Sequence, residues 1–463
     1  MKNKIVIIIP RGEAYRNFLY SGIISKLAGE YELNIITVFP SIILEKRLSS
    51  LGNSTVELKN YYFSYLFNFL SEIMDLAHNR YIWSEAAKVR WEMRDVEATG
   101  FYRKLTRIVK KSLAVFISYL NLLPFTESFL QKISVYEGSV RYWRRYLQEI
   151  NPALVFNTSH SHARNAHAIM YAANSLKIKT AAFLFSWDNL TSQGRIIPSY
   201  QYYFAWNTAI KEDLKRIYPA VRAENIFVTG TPQFIGHFDK KSHLSKSELK
   251  QILGLKPEEE YFLYSSGMSH HLPEEPYVAE RIADRLKELG DQYKLVVRTY
   301  AKDRYDVFDE LKKRRPDIII PEVLWEKNYQ TPLEEDQRFF SSLLKHCIAG
   351  INVASTISLE LCMFDKPAIN VGYNPPGKNI YPYNYTRFYS FDHYKPIVES
   401  GAVEVAGCED DLLNILSQTI DFPEKLSNER SNLIRMFFEG NLDSIVIQNF
   451  QDSIRCIVQK TIK

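Results

Sequence analysis

Three hydroxyl-bearing side chains lie within four positions, at Ser355, Thr356 and Ser358, and Glu360 follows two positions later. The cluster comes directly after the apolar segment 348–353 and precedes apolar residues at helical spacing, which predicts a buried strand followed by a helix. Free backbone N–H groups and the positive end of the helix dipole suit a nucleotide diphosphate there, and the Glu360 carboxylate suits ribose hydroxyls. Ordinary capping of the helix by the same residues is the alternative.

A cation follows another predicted strand of the same half. Arg298 ends an apolar segment, and Tyr300 and Lys302 come after it. A guanidinium group at the carboxyl end of a strand suits a phosphate that leaves as part of a nucleotide diphosphate. An ion pair of Arg298 with Asp303 or Asp306 is the alternative.

A small turn formed by Ser266, Gly267 and Met268 follows the predicted strand 261–265. Such a turn lets backbone amides approach a phosphate or a transferred sugar, although turns of this composition are common. The chain contains neither a Walker-type phosphate loop nor the GxGxxG dinucleotide fingerprint. ATP-driven or hydride-transfer chemistry through those motifs is therefore unsupported.

Two carboxylates, Glu13 and Asp188, follow predicted strands of the first half. A partly desolvated carboxylate in such a place can act as the general base on an acceptor hydroxyl. The alternatives are charge compensation at a helix start for Glu13 and an Asx turn for Asp188. The neighbouring side chains that we expect to contact the acceptor are Arg11, Arg16, His160, His162, Trp187 and Asn189.

The sequence argues against a metal site. His160 and His162 form a His-x-His pair, but no third ligand lies at a matching spacing. No Asp-x-Asp triplet occurs, and the acidic residues 409–411 fit the solvated start of a helix. We therefore expect no metal and no cofactor.

Composition bounds the class of protein. The chain has 463 residues, 46% of them hydrophobic, and a net charge of +5, which excludes a disordered chain and suggests two or three domains. Residues 1–235 hold 29 basic and 18 acidic side chains, and the remainder holds 29 and 35. The four cysteines, all far apart in the sequence, exclude a disulfide framework and fit a reducing compartment.

The elements that position these residues alternate between strands and helices. Short Ile- and Val-rich runs separated by helical segments predict parallel strands buried on both faces, and hence an α/β chain with two Rossmann-like, doubly wound sheets facing a cleft. The predicted domains are 1–238 for the acceptor, with a helical insertion at about 62–148, then 239–440 for the nucleotide, and a closing helix at 441–463 that packs back on the first domain. The predicted strands are 4–10, 33–39, 153–157, 180–185, 201–206, 225–229, 261–265, 294–298, 317–320, 348–353 and 367–371.

The helical insertion is basic. Residues 80–145 contain 13 basic and 6 acidic side chains, and four cations precede the apolar stretch 112–125. That stretch is too short to span a bilayer, but a basic and aromatic helix suits an anionic membrane surface. No nucleic-acid module surrounds it, so we expect a membrane or lipid-linked partner and no nucleic acid, with a cytoplasmic protein peripheral to the inner face of the cell membrane. An ordinary helical subdomain is the alternative.

Taken together, the motifs resemble those of GT-B glycosyltransferases. The resemblance rests on Arg11-Gly12-Glu13, on residues 228–233, and on the cluster 355–360 followed by Asp-Lys-Pro-Ala-Ile-Asn-Val-Gly at 365–372. The last of these segments is similar to what is seen in a wider group of proteins. That group contains bacterial surface-polysaccharide glycosyltransferases, Kdo transferases, CDP-glycerol glycerophosphotransferases and UDP-GlcNAc 2-epimerases. Kdo transferases use a Gly-Glu pair as the base, whereas the His-Pro common after the strand arginine is Thr-Tyr-Ala here.

The resemblance implies a metal-independent, inverting transferase. The second half would hold a nucleotide sugar, with the hydroxyl cluster and Arg298 on the diphosphate and Glu360 on the ribose. The first half would hold a hydroxyl of a growing cell-surface glycan or lipid-linked acceptor, deprotonated by Asp188 or Glu13. The alternatives are a nucleotide-sugar epimerase and a non-catalytic scaffold of the same fold in polysaccharide assembly.

Overall fold

The computed structural model describes residues 2–38, 54–58, 62–96, 98–161, 163–239, 243–269, 271–300, 307–326, 331–376 and 384–460. The chain forms two compact units: the first unit is Met1–Ile235 with Asn441–Lys463, and the second unit is Gly236–Gly440. The strands are β1 Lys4–Ile9, β2 Glu32–Thr37, β3 Ser54–Glu57, β4 Leu154–Asn157, β5 Thr180–Phe183, β6 Tyr202–Ala205, β7 Ile226–Val228, β8 Glu260–Ser265, β9 Tyr293–Arg298, β10 Trp325–Glu326, β11 Thr331–Pro332, β12 Gly350–Asn352, β13 Ala368–Val371 and β14 Val403–Ala406.

The α-helices flank these strands and also form the insertion between β3 and β4. They are α1 Ile23–Glu30, α2 Tyr65–Ile82, α3 Glu85–Val96, α4 Phe101–Tyr119, α5 Leu123–Ser134, α6 Gly138–Ile150, α7 His167–Ser175, α8 Asn189–Ser192, α9 Thr208–Ile217, α10 Ile235–Phe238, α11 Lys246–Leu253, α12 Glu275–Leu289, α13 Asp309–Arg314, α14 Glu334–His346, α15 Ile357–Met363, α16 Tyr385–Phe388, α17 Lys395–Glu399, α18 Glu409–Asp421, α19 Ser427–Phe438 and α20 Ser444–Gln459.

The first unit is built on a parallel sheet of seven strands in the order β3-β2-β1-β4-β5-β6-β7. The strand β1 lies in the interior of this sheet, between β2 and β4, and its five Ile and Val side chains are fully buried, as a strand covered on both faces requires. Ile5 pairs with Leu33 of β2 on one side and with Leu154 of β4 on the other. The strand order reverses between β1 and β4, and in such sheets the crevice at the reversal is where ligands bind.

The second unit has its own parallel sheet, in the order β14-β13-β12-β8-β9, and a two-stranded antiparallel piece formed by β10 and β11. Its reversal lies between β8 and β12. The strand predicted at 317–320 is present only as a single bridge between Ile319 and Val296 of β9. Both sheets are parallel and flanked by helices, so the predicted doubly wound α/β fold class is confirmed.

The last helix, α20, packs in the core of the first unit. The ring of Phe450 lies 5.5 Å from the ring of Phe18, which is in the helical segment before α1, and 5.1 Å from the ring of Phe204 on β6. The Lys179 ammonium donates to the carbonyl oxygen of Ile457, 2.7 Å away, near the helix end. A C-terminal segment therefore completes the core that the N-terminal segment begins.

The insertion is formed by α2 to α6. On α4 only Ala114 is buried, and many of its large apolar side chains are exposed. Within the described part of the chain, no individual helix has the length and hydropathy of a membrane span, whereas α4 and α5 together, bent by 116°, pass that test by length and composition.

Candidate functional site

In the second unit, hydroxyl groups lie on both sides of the sheet reversal. Ser266 follows β8, and Ser355 and Thr356 follow β12; all three are half-buried. The Ser266 hydroxyl accepts the Tyr300 backbone N–H at 2.9 Å, and the Ser266 N–H donates to the Arg298 carbonyl oxygen at 3.0 Å. The ends of β8 and β9 are thereby fixed to each other beside the reversal.

The turn between β12 and α15 presents Ser355 and Thr356 at the sheet edge. Ala354 has φ of +38°, a left-handed conformation that costs energy for a residue with a Cβ. The Asn352 side-chain oxygen accepts the Ser355 N–H at 3.1 Å and so stabilises this turn. The Ser355 hydroxyl in turn accepts the Ile357 N–H at 3.4 Å, a long capping bond.

Ser358 is directed into the core rather than to the sheet edge. It is fully buried, and its hydroxyl lies 2.9 Å from the Tyr394 hydroxyl. It also accepts the side-chain amides of Asn352 at 3.1 Å and Asn370 at 3.2 Å. This network joins β12, β13 and the helix α15, so the sequence-based assignment of Ser358 to a diphosphate does not agree with where the structure places its hydroxyl.

Glu360 also has a protein partner. Its carboxylate accepts from His237 Nε2 at 2.8 Å, and His237 Nδ1 lies 2.7 Å from the Ser341 hydroxyl. Both Glu360 and His237 are buried. A ribose contact by Glu360 therefore requires its second oxygen or the loss of the bond to His237.

Arg298 is buried at the end of β9 and pairs with Asp336 on α14, at 2.5 Å. Asp336 also accepts the Leu324 N–H at 2.9 Å, so the ion pair holds the segment before β10. Among the described residues, the Arg298 Nη1 nitrogen has no hydrogen-bond partner, and it is the part of this guanidinium that remains for a ligand. Lys302 lies outside the described residues, as do both aspartates proposed as alternative partners.

The Gly267 backbone amide is already engaged. It donates to both carboxylate oxygens of Glu275, at 3.0 and 2.9 Å, and the Tyr264 hydroxyl donates to the same buried carboxylate at 2.9 Å. A Cβ on Gly267 would lie 2.8 Å from Leu272 Cδ1, so the glycine permits close packing here. Met268 beside it is half-buried. The Gly267 amide is thus bonded within the protein, and this turn forms a closely packed part of the sheet edge after β8.

In the first unit, Glu13 is paired with its neighbour Arg11. Arg11 Nε and Nη2 donate to the two Glu13 oxygens at 2.9 and 2.6 Å. The Arg11 guanidinium also lies over the Phe185 ring, 4.3 Å from its centroid. Two charge-assisted hydrogen bonds stabilise the ionised carboxylate and so weaken Glu13 as a base. Arg16 in the following π-helical turn donates to the Asn17 side-chain oxygen at 3.1 Å.

Asp188 lies after β5 at the start of α8, and Arg90 of α3 interacts with it electrostatically. The Ser192 hydroxyl donates to Asp188 Oδ2 at 2.6 Å, and the Asn189 amide donates to Oδ1 at 3.4 Å. Asn189 accepts the Ser186 N–H at 3.0 Å, which fixes the turn, and Trp187 is buried beside it. These contacts fix the Asp188 carboxylate in the turn at the start of α8.

His160 supports the end of β5. His160 Nδ1 lies 3.1 Å from the Phe183 carbonyl oxygen and 3.2 Å from the Phe185 backbone nitrogen, so the ring contacts the backbone on both sides of Leu184. His162 lies outside the described residues. His167 is in a low-dielectric setting: burial, and then Arg164, lower its pKa to about 3. In the described part of the chain, no group of three His, Cys, Asp or Glu side chains could hold a metal ion.

Sequence reasoning missed a buried charged cluster on the insertion. Asp75 of α2 is enclosed by Arg90, Arg94 and Arg164, and burial raises its pKa while these cations lower it. A Cβ on Gly194 would lie 2.6 Å from Asp75 Oδ1, so the loop after α8 approaches this carboxylate closely. The only signal in the sequence was a set of single polar residues in otherwise apolar helices, which is a weak one.

Comparison with known proteins gives the fold a context. No protein-family model and no curated protein matches the chain. A UDP-GlcNAc 2-epimerase from Neisseria meningitidis bound to UDP-GlcNAc superposes with a TM-score of 0.55 at 12% identity, over 98% of this chain and 100% of that one. A glycosyltransferase from Rickettsia africae gives 0.54 at 11% identity, over 99% and 100%.

A third structure, a UDP-N-acetylglucosamine 2-epimerase from Rickettsia bellii, gives a TM-score of 0.55 at 12% identity, covering 99% of this chain and 97% of that one. At these identities the likeness shows the fold alone. The two parallel sheets with their strand orders, and the match over nearly the whole length of each chain, indicate the same fold. The chain has the GT-B fold that the motifs had suggested.

Proposed function

We propose that this chain is an inverting, metal-independent glycosyltransferase that moves a sugar from a nucleotide-sugar donor to a hydroxyl of a glycan or lipid-linked acceptor. The observation that carries the proposal is the different chemistry at the two sheet reversals. The second unit offers hydroxyls and an unsatisfied guanidinium nitrogen, which suit a diphosphate, and the first unit offers carboxylates, which suit a base.

In the second unit, we assign the diphosphate to Ser266, Ser355 and Thr356 together with Arg298 Nη1, and the nucleotide's remaining contacts to the edge near Tyr300. Two structural neighbours are epimerases of UDP-GlcNAc, and one of them has UDP-GlcNAc bound. This supports a nucleotide sugar as the ligand class. The base and the sugar are not assigned.

In the first unit, we assign the base to Asp188. Proton removal by a positioned carboxylate contributes about 10²–10⁴-fold to the rate of such reactions. A single displacement at the anomeric carbon uses one base and forms no covalent intermediate, and it therefore inverts the configuration. Glu13 is the weaker choice because Arg11 already neutralises it.

The insertion supports a membrane-associated acceptor. Five large apolar side chains of α4 expose more than half of their surface, and the helix also carries cations. A soluble protein seldom leaves such an apolar face uncovered, and the neighbouring cations match an anionic bilayer. We therefore propose that α4 rests on the membrane surface. The exposed side chains are Phe101 at 74%, Tyr102 at 82%, Ile108 at 60%, Phe116 at 55% and Tyr119 at 88%.

Epimerisation is the second candidate, favoured by the named activity of most of the structural neighbours reported above. An epimerase acts on the nucleotide sugar alone and needs neither an acceptor nor a membrane-facing helix. The insertion therefore favours transfer.

The test is to incubate the protein with individual nucleotide sugars, with and without a bacterial lipid-linked glycan fraction, and to follow products by NMR. Nucleoside diphosphate released only with the acceptor fraction, together with an inverted anomeric linkage, is the expected result. An isomerised sugar formed without acceptor would establish the epimerase instead. Neither product, and no nucleotide binding, would leave a non-catalytic scaffold.

A further inference from the structure

The helices α2, α3 and α4 of the insertion enclose a groove of about 480 Å³ that the proposed chemistry has not used. Its wall contains five cations and one carboxylate, Glu72. A concave surface with this excess of positive charge is suited to an anion. The cations are Arg94, Arg103, Arg107, Lys110 and Arg164.

Two of these cations form close ion pairs with carboxylates. Lys110 pairs with Glu72 at 2.5 Å, and Arg107 pairs with Asp95 at 2.9 Å. The Arg107 guanidinium also donates to the Trp91 carbonyl oxygen at 3.1 Å. These two side chains are therefore held in place, and they shape the groove rather than supply its unbalanced charge.

The other three cations supply that charge. Arg164 approaches Asp75 only to 3.5 Å and leaves 72% of its side chain exposed. Within the described residues, neither Arg94 nor Arg103 makes an ion pair within 4 Å. Burial lowers the pKa of Arg94. The nearby Asp75 offsets this in part, and Arg107 and Arg164 lower the pKa further, so an anion in the groove would stabilise the charged guanidinium group.

The groove continues toward the sheet edge. A second cavity of about 180 Å³ shares Glu72 and Arg164 with it and reaches His160, which follows β4. An acceptor with its charged group in the groove would thus extend to the edge where the first unit's sheet order reverses. This is also the edge from which Arg11 and Glu13 project after β1.

The outer wall of the groove is apolar. Tyr102 lines the groove and is 82% exposed, and the adjacent outward face of α4 carries Leu105, Ile108 and Val109, exposed by 48, 60 and 44%. A phosphate in the groove and an apolar chain on this face can therefore belong to one amphiphilic molecule.

We infer that this groove binds a phosphate or diphosphate group of the acceptor, held by the guanidinium groups of Arg94, Arg103 and Arg164. The inference rests on the proposed function, because the acceptor is the molecule that the first unit would hold. Guanidinium groups bind phosphate oxygens with two hydrogen bonds each, which gives both affinity and orientation. The phosphate can come from a lipid head group or from a soluble phosphate ester.

The experiment is calorimetric titration of the full chain with inorganic diphosphate and, separately, with farnesyl diphosphate, with Ser355→Ala/Thr356→Ala present in every protein to weaken the diphosphate site proposed in the second unit. The double variant Arg94→Gln/Arg103→Gln is expected to weaken both by about tenfold or more, since charge-assisted bonds to two guanidinium groups are lost. The matched control, Arg141→Gln/Arg145→Gln, removes two exposed cations from α6 of the same insertion and is expected to change neither. Equal affinity in all three proteins would overturn the inference.

Because Arg103 is exposed, the single variant Arg103→Gln keeps the test valid if Arg94→Gln disturbs folding. The variant Ile108→Ser separates the two sources of the phosphate. A loss confined to farnesyl diphosphate supports a lipid carrier, and no loss for either probe supports a soluble ester in the same groove. Binding of anionic vesicles is measured for the groove variant and the control variant. If vesicle binding falls equally in both, and diphosphate binding falls in neither, the result would contradict a specific site.

The outcome is separable from the proposed function. Binding of a nucleotide sugar by the second unit is expected to be the same in wild type and in Arg94→Gln/Arg103→Gln. Normal transfer with no groove-dependent diphosphate binding would overturn the groove alone. Groove-dependent binding without any nucleotide binding would overturn the transferase alone.

Discussion

Replacing Ser358 by alanine separates stability from ligand binding in the second unit. The Ser358 hydroxyl is fully buried and joins Asn352, Asn370 and Tyr394. Its removal leaves two amide donors without that acceptor, whereas the Tyr394 hydroxyl keeps the Asn370 oxygen at 2.6 Å. At about 1–3 kcal/mol for each buried group left unsatisfied, we expect a loss of roughly 3 kcal/mol.

For a unit of this size, 1 kcal/mol changes the melting temperature by about 2–4 °C, so Ser358→Ala is expected to lower it by about 6–12 °C. The assay is thermal unfolding by calorimetry with and without a nucleoside diphosphate. The stabilisation by nucleotide should be retained in Ser358→Ala and reduced in Thr356→Ala, whose own melting temperature should change by no more than about 2 °C. A stable Ser358→Ala protein that no longer binds nucleotide would refute the reasoning and restore this serine to the diphosphate site.

Three further outcomes follow from the first unit. Asp188→Asn should lower the rate of nucleoside diphosphate release by about 10²–10⁴-fold and Glu13→Gln by less than tenfold; the reverse order in initial rates would make Glu13 the base. Burial lowers the pKa of His78 to about 3. Below pH 6.5 the unfolded chain therefore binds a proton at His78 that the native state excludes, and this residue alone should lower the stability by about 1.4 kcal/mol per pH unit down to about pH 3. Urea unfolding between pH 7.5 and 5 checks this, and His78→Phe should remove about 2 kcal/mol of the loss at pH 5, whereas an unchanged slope would contradict it. Gly230→Ala places a Cβ 2.6 Å from a backbone oxygen of the C-terminal segment at φ +77°, whereas Gly100→Ala, at φ +82°, meets nothing within 4 Å. The former should lower the melting temperature by several degrees more than the latter, and equal shifts would show that contact with the C-terminal segment is unimportant.

The sequence pattern was sufficient for the central strands of both sheets. Strands such as β1 and β8 are continuous apolar runs that only a sheet covered on both faces explains. The edge strands β3 and β14 were missed, because Ser-Thr-Val-Glu and Val-Glu-Val-Ala have the mixed composition of half-exposed segments. The opposite error occurred at 317–320, where an apolar run pairs with β9 at one bridge only.

The position of the candidate hydroxyl cluster after a buried strand was predictable, but the direction of each side chain was not. A hydroxyl cluster after a buried strand could be read from the sequence, yet Ser358 is only two positions beyond Thr356 and faces the opposite way. Its partners lie at the ends of two other strands, and no local pattern encodes them. The same holds for Glu360 and His237, which are 123 positions apart in the chain.

The ion pair of Arg298 shows the same limit. The sequence suggested acidic neighbours a few positions away, but the observed partner, Asp336, lies 38 positions further along on α14. Local patterning therefore predicts which polar residues follow a strand at the edge of a sheet, and tertiary packing decides which partners their polar groups have.

The central claim, a nucleotide-sugar site at the sheet reversal of the second unit, is tested most directly by thermal unfolding with UDP, GDP, TDP and CMP. A ligand at 100 times its dissociation constant stabilises the native state by about 2.7 kcal/mol. One of the diphosphates is expected to raise the melting temperature of the wild type accordingly, and to do so much less for Ser355→Ala/Thr356→Ala. No shift with any of the four nucleotides, or the same shift in the double variant, would contradict the account.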